Sequence, residues 1–441
     1  MKALSQRLFN VRRDEILPVA LAVLFFFCVL TSLMLLRPAR EALGLRGGIE
    51  AVRWLFMGTA VVTLLINPLF GLLVSRLPRL TFITATYSFF GCSLLIFYLI
   101  MTLTPEVIGV TTGQVFYVWF SVFNLFITMV FWALMADRFS LSQGKRFFGL
   151  IAVGGTCGAI FGPWLASRLA APLGTPALLL VSTGFLMLAL CAAWGIARSQ
   201  PDKTWREGSP DEPPAVDERE LIGGSAWEGL RAVFRSRYLL GIAVYVVILA
   251  IMATFLYFTR LQMVAALGDD LDLRTTMFAH IDLITQVATL LMQALVAGHL
   301  MKRVGVSLTL ALLPLTAALG FIGLAIVGSL AALITFEAAF RAVQRALMRP
   351  ARETLYTVTS REDKYKSKAF IDTFVYRGGD VVGAQVEGLL GRLGMGLAAV
   401  ASVALPLALV WAALALWLGR TQQRIAAPSP PASESKPAIS R

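Results

Sequence analysis

Long apolar runs separated by short polar segments dominate the pattern of this chain. Each run is about twenty residues long, which is the length that a helix needs to cross a hydrocarbon core of roughly 30 Å. The pattern predicts an all-α membrane protein with twelve transmembrane helices, at residues 17–37, 52–75, 80–103, 111–136, 146–170, 176–196, 239–265, 275–301, 306–328, 331–349, 369–391 and 396–419.

A polar, proline-containing stretch at residues 198–225 separates the first six runs from the last six. The amphipathic segment that follows it is typical of a helix at a membrane surface. Prolines and serines after residue 420 indicate a disordered tail. The predicted units are two six-helix bundles at residues 1–197 and 238–419, a cytoplasmic linker with an amphipathic helix at 198–237 and a cytoplasmic tail at 420–441.

The positive charge of the chain indicates its orientation. Only 15% of the residues are charged, and the net charge is +13. With the N-terminus inside, most Lys and Arg residues fall in the inside segments, so the positive-inside rule predicts that both termini are cytoplasmic. The basic residues are scattered over many short loops, which argues against nucleic-acid binding.

The sequence offers no constellation for catalysis, a cofactor or a metal. No nucleophile–base set or P-loop is present, so neither an enzyme nor ATP hydrolysis is predicted. Structural zinc sites need clustered Cys and His ligands. Here all four cysteines fall inside predicted spans, and only two histidines are present: Cys28, Cys92, Cys157, Cys191, His280 and His299.

The tenth run carries an unusual stripe of charge. Glu337, Arg341, Arg345 and Arg349 are spaced four apart and share a helix face. A charge near the bilayer centre costs roughly 2.5–3.5 kcal/mol, so this stripe must face a wet cavity or a partner. One interpretation is internal pairing of Glu337 with Arg341. The other is that Arg341 and Arg345 bind an anionic substrate, since guanidinium suits phosphate and carboxylate.

Other polar residues inside the runs favour a cavity. Asp282 lies in the eighth run, and Arg377 and Asp380 lie in the eleventh. Each has an alternative explanation as an interhelical hydrogen bond or a terminal anchor. Asp282 and Asp380 are the candidates for proton co-transport, because burial favours the neutral form of a carboxyl group.

Two glycine pairs occupy corresponding places in the two halves. Gly154 and Gly158 lie in the fifth run, and Gly379 and Gly383 lie in the eleventh. The pairs Gly154/Gly158 and Gly379/Gly383 are each four residues apart, so each lies on one helix face and predicts close helix packing.

A seven-residue phrase occurs twice, at residues 37–43 and 349–355, with one difference. The first copy follows the first run and is predicted to lie outside, whereas the second follows the tenth run and is predicted to lie inside. We expect the two copies to act as paired gates, each closing with charges across the bundles. Their charged residues are Arg37, Arg40, Glu41, Arg349, Arg352 and Glu353.

The fourth and fifth runs carry a family resemblance. Residues 131–137 (FWALMAD), followed by residues 144–149 (GKRFFG), resemble the ATP/ADP translocases of intracellular bacteria and plastids, a nucleotide transporter branch related to the major facilitator superfamily. The chain is similar to divergent bacterial members. The resemblance implies twelve helices, the bacterial inner (cytoplasmic) membrane and exchange of ATP for ADP. Asp137 and Lys145 match charged positions of the motif and become substrate-binding candidates. The translocases carry lysine near the end of helix 1, where this chain has Arg37 and Arg40.

Three hypotheses follow. The first is a secondary transporter, expected to be monomeric, that moves an anionic organic solute such as a nucleotide or another phosphorylated metabolite by alternating access. The second is an exporter or flippase of an amphipathic anionic lipid or glycan precursor, which a laterally open, apolar cavity beside Arg341 would favour. The third is a non-transporting membrane scaffold or sensor, in which the polar residues of the helices pair internally.

Overall fold

The computed structural model describes residues 15–76, 79–104, 106–199, 226–394 and 396–426, and nearly all of them are helical. Each helix of the first half covers one predicted run. The helices are α1 (Ile16–Leu45), α2 (Gly48–Arg76), α3 (Arg79–Leu103), α4 (Glu106–Arg138), α5 (Leu141–Leu173) and α6 (Ala177–Arg198).

The second half contains more helical segments than apolar runs. They are α7 (Ala226–Arg235), α8 (Arg237–Ala265), α9 (Leu271–Met292), α10 (Gly298–Val327), α11 (Leu330–Val343), α12 (Arg349–Leu355), α13 (Arg361–Phe370), α14 (Tyr376–Arg392) and α15 (Leu397–Ala426).

The extra segments have two origins: one is the amphipathic helix α7, and two arise where a π-helical turn divides a run. Gln344–Met348 divides α11 from α12, and Ile371–Val375 divides α13 from α14. A further π-helical turn, Gln293–Ala297, joins α9 to α10. Among the described residues, ten helices are long and apolar enough to cross a membrane, and the two remaining spans are the interrupted helices α11–α12 and α13–α14. Helix α10 is interrupted at Gly305, which separates the eighth span from the ninth. Its φ of 75° is a backbone conformation that glycine adopts readily and other residues rarely do. The prediction of twelve spans is therefore confirmed.

Side-chain caps fix where several helices begin. The Ser140 hydroxyl accepts a hydrogen bond from the Gln143 backbone, and the Gln143 side chain accepts one from the Ser140 backbone, which forms a capping box before α5. Ser329 caps α11 by accepting from the Ala332 backbone at 3.2 Å. These contacts satisfy backbone donors that the first turn of a helix leaves free.

The two halves have separate hydrophobic cores. Phe25 and Phe131 are fully buried in the first core, and Tyr245 and Trp411 are fully buried in the second. A third core mixes side chains from both halves, among them Leu45, Val52, Tyr117, Phe258 and Phe278. The fold is thus two six-helix bundles held together through a shared patch.

The ends of the second half differ from the expected boundaries. Helix α15 continues to Ala426, so residues 420–426, which we expected in the disordered tail, are helical. The reason is a contact that composition does not reveal: Gln422 is buried and donates to the Thr354 carbonyl at 2.7 Å. Residues 427–441 and most of the predicted linker lie outside the described residues, but the amphipathic helix is present as α7, with Val233 buried and Phe234 exposed.

Glycines bring corresponding helices of each half into contact. A Cβ on Gly154 in α5 would lie 2.6 Å from the Val23 carbonyl oxygen of α1. A Cβ on Gly379 in α14 would lie 2.9 Å from the Val247 carbonyl oxygen of α8. The predicted role of both glycine pairs in close packing is confirmed.

We expect Gly154→Ala to lower the free energy of unfolding by about 1–3 kcal/mol, because the added methyl group overpacks the α1–α5 contact. Thermal unfolding of the purified protein measures the loss. Gly149→Ala is the matched control in the same helix, since nothing lies within 4 Å of a Cβ at Gly149. Equal melting temperatures for the two variants would contradict the packing role.

Candidate functional site

A buried arginine of the second bundle organises the site. Arg260 belongs to the apolar helix α8, and its side chain is only 2% exposed. Its Nη1 donates to Asp282 Oδ1 of α9 at 3.0 Å and to Glu337 Oε1 of α11 at 3.1 Å. One buried guanidinium therefore ties three helices together, and its charge is offset by two carboxylates.

Arg37 of α1 reaches one of these carboxylates, Asp282, from the other bundle. Its Nε lies 3.6 Å from Asp282 Oδ2, and its side chain is 28% exposed. Arg341 approaches from α11, with its Nε 3.9 Å from Glu337 Oε1. The Arg341 Nη1 also donates to Gln344 Oε1 at 3.2 Å. Groups from both halves of the molecule therefore meet at this point.

Arg345 completes the group. Its Nη1 donates to Gln286 Oε1 of α9. The Gln286 Nε2 lies 3.8 Å from the Met34 sulfur of α1. We call Arg37, Arg260, Arg341, Arg345, Asp282 and Glu337 the arginine cluster. Its four guanidinium groups exceed its two carboxylates, so the cluster has excess positive charge.

Several atoms of the arginine cluster lack hydrogen-bond partners within the described part of the chain. They include Nε and Nη2 of Arg260, Oε2 of Glu337 and Nε of Arg341, all buried. A buried polar atom without a partner costs about 1–3 kcal/mol, and more when it is charged. The arrangement therefore has hydrogen-bonding capacity to spare for a ligand or for water.

The structure brings together four of the residues predicted for substrate binding: Glu337, Arg341, Arg345 and Asp282. Both elements of the open question about Glu337 are present: it accepts a hydrogen bond from Arg260 at 3.1 Å, and it forms an ion pair with Arg341 at 3.9 Å. We missed Arg260 as a central residue. The available signal was an arginine inside an apolar run, five positions before that run ends. Arg37 was predicted as a gate residue but contacts the arginine cluster.

A second polar group lies where α14 meets α8. Thr254 of α8 donates to Asp380 Oδ1 at 3.3 Å, and Arg377 Nη1 lies 3.5 Å from Asp380 Oδ2. The Arg377 side chain is 38% exposed, whereas that of Asp380 is 8% exposed. Asp380 is therefore held by one hydroxyl and one loosely placed guanidinium, whereas Asp282 faces two guanidinium groups.

Of the two candidates from the family motif, Asp137 lies elsewhere. Asp137 is in the last turn of α4, whereas Ser121 of the same helix accepts from Arg40. The 16 residues between Ser121 and Asp137 correspond to about 24 Å along a helix. Asp137 is exposed at the helix end, away from the arginine cluster. The side chain of Lys145 lies outside the described residues.

The first copy of the repeated phrase connects the two halves. Arg40 lies over the Tyr117 ring at 3.7 Å and donates to Glu41 Oε1 at 2.7 Å. Tyr257 of the second half donates to Glu41 Oε2 at 2.6 Å. Tyr117 and Tyr257 share a hydrogen bond of 2.7 Å. The contact is short, partly buried and made by both bundles.

Ion pairs between α2 and α14 reinforce the same end of the molecule. Arg53 Nη2 lies 2.8 Å from Glu387 Oε2, and Arg392 Nη2 lies 2.6 Å from Glu50 Oε1. We call this end, where Glu41, Arg53, Tyr257 and Glu387 lie, the closed end.

The second copy of the phrase bonds within its own half. Arg352 lies 3.0 Å from Asp372, and Glu353 lies 2.6 Å from Lys368. Arg349 is exposed. The two copies thus differ in this state: the first spans the bundles, whereas these bonds of the second stay inside the second bundle.

Two six-helix bundles that meet at a charged cluster define the architecture of a multi-pass membrane transporter. The sequence profile of the Major Facilitator Superfamily matches residues 19–348, and the chain belongs to this superfamily. No curated protein sequence matches the chain.

Solved transporter structures share the fold. A bacterial homologue of the iron transporter ferroportin, in an inward-facing state, has a TM-score of 0.65 and 12% identity, over 93% of this chain and 100% of that one. A mutant of the nucleoside transporter NupG has a TM-score of 0.60 and 11% identity, over 93% and 100%. A bacterial homologue of the human lysosomal transporter Spinster has a TM-score of 0.57 and 12% identity, over 96% and 100%. These identities establish the fold and nothing about the substrate.

We expect Arg260→Ala to destabilise the protein by about 3–5 kcal/mol, because two buried carboxylates would lose the guanidinium that donates hydrogen bonds to both of them. Arg392→Ala is the control: its ion pair with Glu50 is exposed and worth about 0–1 kcal/mol. Thermal unfolding of both variants tests the difference. A melting temperature for Arg260→Ala as high as that of the control would show that the arginine cluster is not held by this residue.

Proposed function

We propose that the protein is a secondary active transporter that moves an anionic organic solute, such as a nucleotide or another phosphorylated metabolite, across the bacterial inner membrane. The observation that supports this proposal is the excess of guanidinium groups in the arginine cluster. Arg37 and Arg341 are partly accessible, at 28% and 16% exposure. Guanidinium groups bind phosphate and carboxylate in bidentate geometry.

The position of the arginine cluster suits alternating access. A ligand drives a conformational change only as far as its contacts differ between the two states. Arg37 comes from the first bundle, and Arg341 and Arg345 come from the second. An anion held by both sets of arginines exchanges contacts when the bundles move relative to each other, so binding and movement are coupled.

We expect Arg341→Ala and Arg345→Ala each to weaken anion binding by roughly 10–100-fold, because a hydrogen bond to a charged group contributes about 1.5–3 kcal/mol. The measurement is uptake of labelled ATP, ADP and inorganic phosphate by proteoliposomes, with binding followed by thermal shift. Arg168→Ala, an exposed arginine of α5, serves as the control. If no phosphorylated compound binds, or if both variants keep wild-type uptake, the proposal is wrong.

We also propose that the closed end faces outward and that the two phrases are gates. The positive-inside pattern of the loops supports this orientation, with both termini cytoplasmic. At the closed end Glu41 accepts from Tyr257 across the bundles, whereas Glu353 pairs with Lys368 inside its own bundle. The gate at Glu41 is then formed, while the gate at Glu353 is released from the first bundle.

We expect Glu41→Lys to open the closed end, because it replaces an acceptor with a cation beside Arg40. Glu353→Lys should leave that end closed. The reporter is Ser121→Cys, beside Arg40, in a background without the four native cysteines. A membrane-impermeant thiol probe added outside should label Cys only in the Glu41→Lys variant. Equal labelling in both variants would refute the paired gates.

For proton coupling, Asp380 is the better candidate. Two guanidinium groups stabilise the charged form of Asp282. Asp380 is buried, and its close contacts are the Thr254 hydroxyl and the loosely placed Arg377. A carboxyl group in those surroundings can exchange a proton without breaking the arginine cluster.

A further inference from the structure

A crevice with a volume of about 270 Å³ lies where α1, α5 and α9 converge. Its exposed rim includes Ala152, Leu290 and Gln293, so it is accessible from outside the bundle. Its walls are formed by one face of each helix: Phe26, Leu30, Ala152, Thr156, Ala159, Ile160, Gln286, Thr289, Leu290 and Gln293.

The crevice is less polar than its residue types suggest. The Thr156 hydroxyl donates to the Ala152 carbonyl at 3.1 Å, and the Thr289 hydroxyl donates to the Thr285 carbonyl at 2.7 Å. Threonines that bond back to their own helix leave little polarity for a ligand. Apart from the two glutamines, the walls therefore present mainly carbon atoms to a ligand in the crevice.

Gln286 connects the crevice to the arginine cluster. Its side chain lines the crevice and accepts a hydrogen bond from Arg345. The largely apolar crevice thus ends at Gln286, which is held by the guanidinium group of Arg345. The other glutamine, Gln293, lies at the exposed rim.

We propose that the substrate is a single-chain amphipathic anion. Its phosphate or carboxylate binds Arg341 and Arg345, and its hydrocarbon chain lies in the crevice. This inference rests on the proposed anion site and narrows its substrate class. Charge complementarity fixes the orientation of the ligand, since the excess positive charge lies at one end of the crevice only. The volume is just below the roughly 300–1,000 Å³ of drug-sized ligand pockets, which suits one chain rather than two.

The test is a series of monoalkyl phosphates, from ethyl to decyl, binding to the full-length protein in lipid nanodiscs, with empty nanodiscs as the blank. Wild-type affinity should rise at least about tenfold along the series, because each buried methylene group favours binding. Ala159→Trp, which fills the crevice, should abolish this rise and leave ethyl phosphate binding unchanged. Ala171→Trp, at an exposed position of the same helix, is the matched control and should bind like wild type.

The outcomes separate this inference from the proposed function. If ethyl phosphate binds, needs Arg345, and has the same affinity as decyl phosphate, the chain site is wrong and the anion carrier stands. If Ala159→Trp keeps the full chain-length dependence, the chain lies elsewhere and the inference also fails. If no alkyl phosphate binds to wild type, the chain site is wrong, and the uptake of labelled ATP, ADP and phosphate decides the proposed function separately. The wild-type series alone decides the matter even where a tryptophan variant does not fold.

Discussion

A charge buried in a membrane must be compensated by an opposite charge. Arg260 is the most deeply buried cation of the arginine cluster, so this requirement is strictest there. It is 2% exposed and satisfies carboxylates of α9 and α11 at once. Those carboxylates then determine where Arg37 and Arg341 lie. Removing Arg260 would take the hydrogen-bond donor from two buried carboxylates and leave them only the longer contacts to Arg37 and Arg341, which is costlier than losing an exposed pair. The arrangement of α8, α9, α11 and α1 around the interface depends on this balance.

The sequence predicted what depends on local pattern. The lengths of the apolar runs predicted twelve spans. The spacing of the glycines predicted the close contacts that Gly154 and Gly379 make with neighbouring helices. The charged stripe predicted that Arg341 and Arg345 belong to one polar site, and both lie in the arginine cluster. Periodicity could not identify Arg260 as the partner of Glu337, because that pairing depends on which helices meet. The cross-bundle bond from Tyr257 to Glu41 joins residues 216 positions apart and escaped prediction for the same reason.

The π-helical turn at Gln344–Met348 changes the direction of the charged stripe at its last residue, Arg349. In an α-helix of 3.6 residues per turn, residues spaced four apart drift around the axis. A π-helical turn bonds residues five apart, so each residue turns the backbone through a smaller angle. The drift is partly reversed between Arg345 and Arg349. Sequence spacing alone gave no sign of this turn.

The uneven distribution of π-helical turns has a mechanical consequence. All three described π-helical turns lie in the second half, whereas the described helices of the first half carry internal prolines instead, such as Pro38 in α1 and Pro163 in α5. A proline removes a backbone hydrogen bond permanently, whereas the hydrogen bonds of a π-helical turn can re-form one residue further along the helix. The second bundle therefore contains positions, at Arg345 and at Asp372, where a helix can shift its register without unfolding.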